Sequence, residues 1–273
     1  MARINLYDLL KLDKVNFTNL SIKQNKVKIN LQKQKKGKEF FSVTDQNNLI
    51  TKASLRYLAK INQSAELSFS LEKNIPLGAG LGGGSADAAL ALQEINGFLE
   101  RLTFEDLFPL AVEIGSDVPF CLQNSFAFCE GKGEQLEFLE ERLKAWVLVI
   151  NDGLHLDTAK AYQDLDFKRK GKQKDFKDKE IQEKKNNLKS ILKKNDLKAM
   201  RSFCQNDFEE IVFEQFPKLS FLKKEIYNFG ADFSLMSGSG STIFGLFSEK
   251  EKAKKAFAYC KENYQKVFLT EFI

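Results

Sequence analysis

Between Pro76 and Ser85 the sequence PLGAGLGGGS sets five glycines, Gly78, Gly80, Gly82, Gly83 and Gly84, within seven positions. A glycine costs roughly 0.5–1 kcal/mol relative to alanine in regular structure, so so dense a run persists only where the backbone must approach something closely or adopt positive φ. The residues that follow, SADAALALQEINGFL, are rich in Ala and Leu, which lose least on entering a helix. A loop opening directly into a helix offers unpaired N–H groups and a partial positive charge, and Ser85 can add a hydroxyl donor at the first turn. Those are the requirements of a polyphosphate site. A ligand-free tight turn needs one or two glycines rather than five. The loop has no Gly-Lys-Ser/Thr ending of a P-loop, and its glycines do not fit a dinucleotide fingerprint.

Such a loop has to be carried by regular elements. Val27, Ile29 and Leu31 in KVKINLQ, and Leu67, Phe69 and Leu71 in ELSFSLEK, alternate with polar residues and predict strands on both sides of a helix, ITKASLRYLAKIN. The second strand leads into the glycines. Thr103 and Asp106 form a capping-box pattern for a helix ending near Gly115, and the apolar run WVLVIN predicts a buried strand. LKSILKK and DLKAMRSFCQNDFEEIVF read as helical. Pro217 opens another helix, FPKLSFLKKEIYNFG, with Gly230 placed as its C-cap. GADFSLMSGSGSTIFGLF reads as two strand-like runs around a Gly/Ser turn, and KVFLTEFI as a closing strand. Strands and helices are mixed without the repeating strand-helix unit of a doubly wound sheet, which predicts an α+β fold.

The 273 residues carry a net charge of +5, but the basicity is local: Lys168–Asn195 holds 12 Lys and Arg against 4 Asp and Glu, an excess larger than that of the whole chain. Only Phe176 is interleaved for base stacking, and no nucleic-acid-binding signature accompanies the run, so a solvated loop and lysine-rich helix face are expected, with an exposed connection over about 168–187 and no nucleic-acid partner. No apolar stretch is long enough for a membrane span or signal peptide, so no membrane partner is expected. Four cysteines without close pairs read as reduced thiols and a cytoplasmic location.

The segment Pro76–Ala89 resembles the P-x-x-x-G-L-G-x-G/S-S-A-x-A-A phosphate loop of the GHMP kinases. IGSDVPFCL, EGKGEQLEFL and the stretch from NDFEEIVF to STIFGLF are similar to segments of the branch that phosphorylates the 2-hydroxyl of a cytidine-diphosphate-linked methylerythritol in isoprenoid synthesis. The resemblance implies an N-terminal α/β ATP-binding domain of the ribosomal protein S5 domain 2-like kind over residues 1–145. It implies a C-terminal α+β ferredoxin-like domain over 146–273, with ATP and Mg²⁺ as cofactors. It implies that Asp117 is the catalytic carboxylate, also touching the acceptor, and such a group can take the proton that an attacking hydroxyl sheds. Without the resemblance, Asp117 reads as a turn or capping residue.

By the same resemblance Asn48, Lys73, Pro76, the five glycines and Ser85 bind ATP, while Thr158, Tyr162, Ser239 and Gly240 approach the acceptor. Each has a plainer alternative. Asn48 precedes a helix as an N-cap would, Lys73 ends a strand, Tyr162 could be core rather than a stacking face, and Ser239 and Gly240 could be a tight β-connection. The only histidine, His155, reads as an exposed strand or loop residue. No metal ligands are expected from the protein, and the oligomeric state expected is a monomer or weak homodimer.

The family's leading A-K-I-N-L strand with its lysine, and a G-Y-H motif, are not intact. ARINL could be that strand with Arg3 in the lysine's place, yet NLYDLLKLD matches a later family segment. Two readings compete, a shortened chain or one that has lost part of its site, and both lead to the expectation that these residues bind ATP but turn over weakly.

Overall fold

A computed structural model describes residues 1–18, 25–32, 41–43, 47–123, 125–154, 156–169 and 178–273. The chain divides into two units. One comprises Met1, Tyr7–Leu77 and Gly82–Leu139, the other Ala2–Leu6, Gly78–Leu81 and Glu140–Ile273.

The first unit contains β1 (Leu9–Phe17), β2 (Lys26–Gln32), β3 (Phe41–Val43), α1 (Leu49–Lys60), β4 (Ala65–Glu72), α2 (Gly83–Leu99), α3 (Phe104–Ile114), α4 (Val118–Cys121), β5 (Phe126–Glu130) and β6 (Gln135–Leu139). Four strands form a mixed sheet in the order β1-β4-β2-β3, with β4 antiparallel to β1 and parallel to β2, and β5 pairs with β6 as a hairpin. On β4 every second residue, Ala65, Leu67, Phe69 and Leu71, is buried, as period-two alternation requires of a sheet covered on one face. Those side chains pack on Tyr57 and Leu58 of α1 and on Ala88, Leu92 and Ile95 of α2. The expected capping box is present: the Asp106 N–H donates to Thr103 Oγ1, and the Thr103 N–H to the Asp106 carboxylate.

The second unit contains β7 (Trp146–Asn151), α5 (Thr158–Arg169), α6 (Asp178–Lys194), α7 (Met200–Phe203), α8 (Phe208–Gln215), α9 (Pro217–Asn228), β8 (Phe233–Met236), β9 (Ile243–Phe247), α10 (Lys250–Asn263) and β10 (Lys266–Glu271). Its sheet is antiparallel throughout, in the order β10-β7-β9-β8, the strand arrangement of a ferredoxin-like fold. Leu148, Ile150, Ile243 and Phe247 bury one face against Leu219, Leu222 and Ile226 of α9 and Ala253, Ala256 and Cys260 of α10. ARINL forms no strand beyond an isolated bridge of Ile4 to Phe272. The Asn5 N–H donates to the Glu271 carbonyl, and Thr270 Oγ1 donates to that of Asn5.

One expectation is corrected. The connection expected over 168–187 is partly helical, because α5 runs through Arg169 and α6 begins at Asp178, with residues 170–177 outside those described. Lys, Glu and Gln are good helix formers, and Ile191 and Leu192 give α6 a buried edge. The stretch DLKAMRSFCQNDFEEIVF, read as helical, holds two helices, α7 and α8, separated by 204–207. At the start of the second, Asn206 Oδ1 accepts the Phe208 N–H at 2.9 Å, although the cap residue Asp207 makes no side-chain cap bond.

Candidate functional site

The 17-residue helix α2 starts from Gly82, whose φ of 67° is left-handed and costs roughly 1–2 kcal/mol for a residue with a Cβ. Gly82 has no side chain to cap the helix, and no acidic residue stands in the first turn, so the amides of Gly83, Gly84 and Ser85 keep their positive character. Gly84 is exposed, and a Cβ there would meet only Leu49 Cδ1 at 3.6 Å, an ordinary contact. The fold therefore has no need of glycine at 84, whereas a ligand approaching the amides does. Asn48 lies beside this mouth through its neighbour Leu49, and it is the N-cap of α1, its Oδ1 accepting the Ile50 N–H at 2.8 Å.

Behind the loop Lys73 is tied down. Its ammonium donates to Asp87 at 2.8 Å and makes a short bond to Asp8, whose other oxygen accepts the N–H groups of Asn74 at 2.6 Å and Ile75 at 2.8 Å. Both carboxylates are buried, and Lys73 Nζ lies 3.5 Å from where a Cβ of Gly83 would stand. Burial pushes the Asp87 carboxyl up to about 7, against the opposing pull of the Lys73 charge and with a further push from Asp8. Two carboxylates share one cation, so a proton on Asp87 relieves the excess charge. Lys73 is not the solvated strand-end residue of the plain reading; it anchors the strand-to-loop corner that holds the buried Pro76.

Asp117 is the residue before the short helix α4 and makes no side-chain cap bond, so the capping alternative does not account for it. It is half-buried, and burial raises the pKa of its carboxyl above the ordinary value.

In the second unit the Gly/Ser turn, residues 237–241, grips the first part of the glycine run. Ser237 Oγ donates to the Gly80 carbonyl at 2.8 Å, and a Cβ at Gly80 would stand 2.3 Å from the Ser237 carbonyl oxygen and 2.8 Å from that of Gly240. Gly78 is exposed. Thr158, at the start of α5, and Ser239 hydrogen-bond through their hydroxyls at 2.9 Å. Tyr162, one turn further along α5, is 55% exposed and meets Phe208 edge-on at 4.9 Å between ring centres, which leaves a ring face open to a ligand. A cavity of about 530 Å³ is lined by Tyr162, Phe208, Asn206, Ser237 and Gly238 among others, a volume that suits a small molecule. His155 lies outside the described residues.

The residues around these sites include several that the sequence reading did not single out. Asp8 and Asp87 are drawn to Lys73 from distant positions, and Asn151 is buried with its amide donating to Ser241 Oγ at 3.2 Å and Thr242 Oγ1 at 3.1 Å. Asp87 lies within the glycine-loop motif itself, where an acid buried between alanines was a readable signal.

A model of the GHMP kinases N terminal domain matches residues 48–125, and one of the GHMP kinases C terminal matches residues 188–266. The 4-diphosphocytidyl-2-C-methyl-D-erythritol kinase of Clostridium novyi (strain NT) is 30% identical over 276 residues, spanning 100% of this chain and 90% of that protein. The chain belongs to the GHMP kinase family. This GHMP kinase is also 37% identical, over 77% of its length and 71% of the relative's, to the protein of the same name from Citrifermentans bemidjiense. A crystal structure of 4-(cytidine 5'-diphospho)-2C-methyl-D-erythritol kinase matches with a TM-score of 0.72 at 28% identity, covering 99% of this chain and 88% of that one. The uncapped amides of α2 and the open face at Gly84 suit a nucleotide's phosphates. Among the described residues no group of three or more His, Cys, Asp or Glu could hold a metal ion, and no helix is long and apolar enough to cross a membrane.

Proposed function

We propose that this GHMP kinase transfers the γ-phosphoryl group of ATP to the 2-hydroxyl of 4-diphosphocytidyl-2-C-methyl-D-erythritol. The observation that carries the nucleotide half is the uncapped start of α2, where amides and helix dipole face an exposed glycine that the fold does not require. The acceptor half rests on the two relatives of that name and on the solved structure.

In this reading the loop from Pro76 to Ser85 holds the phosphates, Asn48 meets the adenine, and Lys73 keeps the loop's corner in place. Asp117 accepts the proton of the attacking hydroxyl, while Thr158, Ser239 and Gly240 approach the acceptor and Tyr162 offers its open face to the cytosine. Phosphoryl transfer needs alignment and charge neutralisation more than covalent help, which a preorganised loop and one carboxylate supply. Mg²⁺ arrives with the nucleotide, neutralising its phosphates. The protein works in the cytoplasm as a monomer or weak homodimer.

The test is a coupled assay of ADP release by the purified protein with MgATP and, in parallel, the cytidylated methylerythritol, homoserine, mevalonate and a hexose. Turnover with the first alone is expected. Turnover with another acceptor only would overturn the acceptor assignment, and ATP binding without any turnover would recast the chain as a nucleotide-binding module.

A further inference from the structure

The segment NDFEEIVF lines the cavity beside Tyr162 with Asn206 and Phe208, and it also holds the Gly/Ser turn at both polar groups of Met236. The Asn206 amide donates to the carbonyls of Met236 and Gly238, each at 2.8 Å, and the Met236 N–H donates to Glu209 Oε1 at 2.8 Å. Glu209 is itself fixed by Lys223 at 2.6 Å. β8 is an edge strand, so these side chains supply the partners that a neighbouring strand would otherwise provide.

The turn so held is closed by its own bonds, from the Ser237 N–H to the Thr242 carbonyl at 2.9 Å and from the Gly240 N–H to the Ser237 carbonyl at 3.0 Å. Its next contact is Gly80: Ser237 Oγ donates to the Gly80 carbonyl, and a Cβ on Gly238 would sit 3.1 Å from that same oxygen. The Gly80 carbonyl therefore has its position set by a turn whose own position is set by Asn206 and Glu209. We propose that Asn206, with Glu209, is a positioning residue for the phosphate loop, acting through the Met236–Gly240 turn on Gly80. The inference rests on the nucleotide reading of that loop.

Asn206→Asp separates this role from the bond Asn206 makes to the Phe208 N–H. Aspartate keeps the oxygen that accepts the Phe208 N–H, but replaces the two N–H donors with an oxygen facing two carbonyls. The expected result is a KM for ATP raised about tenfold, the value of one or two lost hydrogen bonds, in a protein that still unfolds cooperatively with only a lowered melting temperature. Ser237→Ala, which deletes only the bond to Gly80, is expected to raise the KM for ATP likewise. The double variant is expected to lose no more than the worse single one, because both changes break one chain of contacts. An unchanged KM for ATP in a folded Asn206→Asp protein would overturn the proposal. So would an unchanged KM in Ser237→Ala, which holds even if the first variant does not fold, or full additivity in the double variant. Failure of the parent protein to bind ATP at all would instead strike the reading of the loop.

Discussion

The α-carbon of Gly133 lies against Ser116 so closely that a Cβ built on it would stand 2.3 Å from the Ser116 carbonyl oxygen, at a backbone φ of +106°. The turn between β5 and β6 thus supports the residue that precedes Asp117. Gly133→Ala is expected to push Ser116 aside and carry the neighbouring carboxylate with it. Stability should fall by about 1–3 kcal/mol, and kcat should drop while the KM for ATP stays put. Denaturant melts and steady-state kinetics on one preparation check both; an unchanged kcat would detach Gly133 from the site.

Asp117→Asn is expected to slow turnover by about 10²-fold or more while leaving ATP affinity nearly as it was. The parent's rate should climb with pH as the Asp117 proton leaves, with a midpoint above the ordinary 3.8 of an aspartate because burial disfavours the charge. The variant has no such limb. Rate profiles between pH 4 and 8 with saturating substrates measure this, and identical limbs in both proteins would remove Asp117 from proton transfer.

How far the sequence discloses this arrangement depends on where partners come from. The helix after the glycines, the capping box at Thr103, and the strands KVKINLQ, ELSFSLEK and WVLVIN are visible because their signals are local. β1 escapes notice because a register shift between Leu12 and Lys14 breaks its alternation, so Leu10 and Val15 lie out of step. α10 is also missed, because the lysines around Ala253, Ala256 and Cys260 mask their helical spacing. The glycine run is visible by itself as a loop opening into a helix. What no local pattern could give is that Lys73 would face Asp8, 65 positions earlier, rather than solvent.

That cluster makes stability depend on pH. The folded protein raises the Asp87 carboxyl from 3.8 to about 7, so folding binds a proton there that the unfolded chain has released. The resulting stabilisation is fully present below about pH 3.8 and is lost as pH rises through about 7, with a slope of at most about 1.4 kcal/mol per pH unit. Asp87→Asn, which cannot ionise, is expected to flatten this descent. Urea melts of the two proteins across pH 4–8 provide the comparison, and parallel curves would count against a neutral Asp87.

Asp8→Ala strips partners from the Lys73 ammonium and from two backbone N–H groups at once. A loss of about 3–5 kcal/mol is expected, as for other broken buried ion pairs. A melting point within a degree or two of the parent's would mean that the corner is held by something else.

Gly84→Ala distinguishes a glycine kept for the ligand from one kept for the fold. The site has room for the methyl group, and helix propensity favours alanine by about 1 kcal/mol, so stability should hold or rise. ATP affinity should nevertheless fall, since in the proposed nucleotide site the methyl would crowd the phosphates against the amides of α2. Calorimetric titration with a non-hydrolysable ATP analogue tests it; wild-type affinity would leave the amides of α2 without a nucleotide.

The backbone of Asn5 finds its partners in Thr270 and Glu271, 265 and 266 positions downstream. Translation runs the other way round from this pairing: the ribosome releases Asn5 long before either partner exists. β10 is in the same position, closing a sheet whose other strands are already made. The sheet of the second unit therefore cannot be completed before residues 266–271 have been made, and a nascent chain would leave one edge of β7 open to chaperones or proteases until β10 emerged.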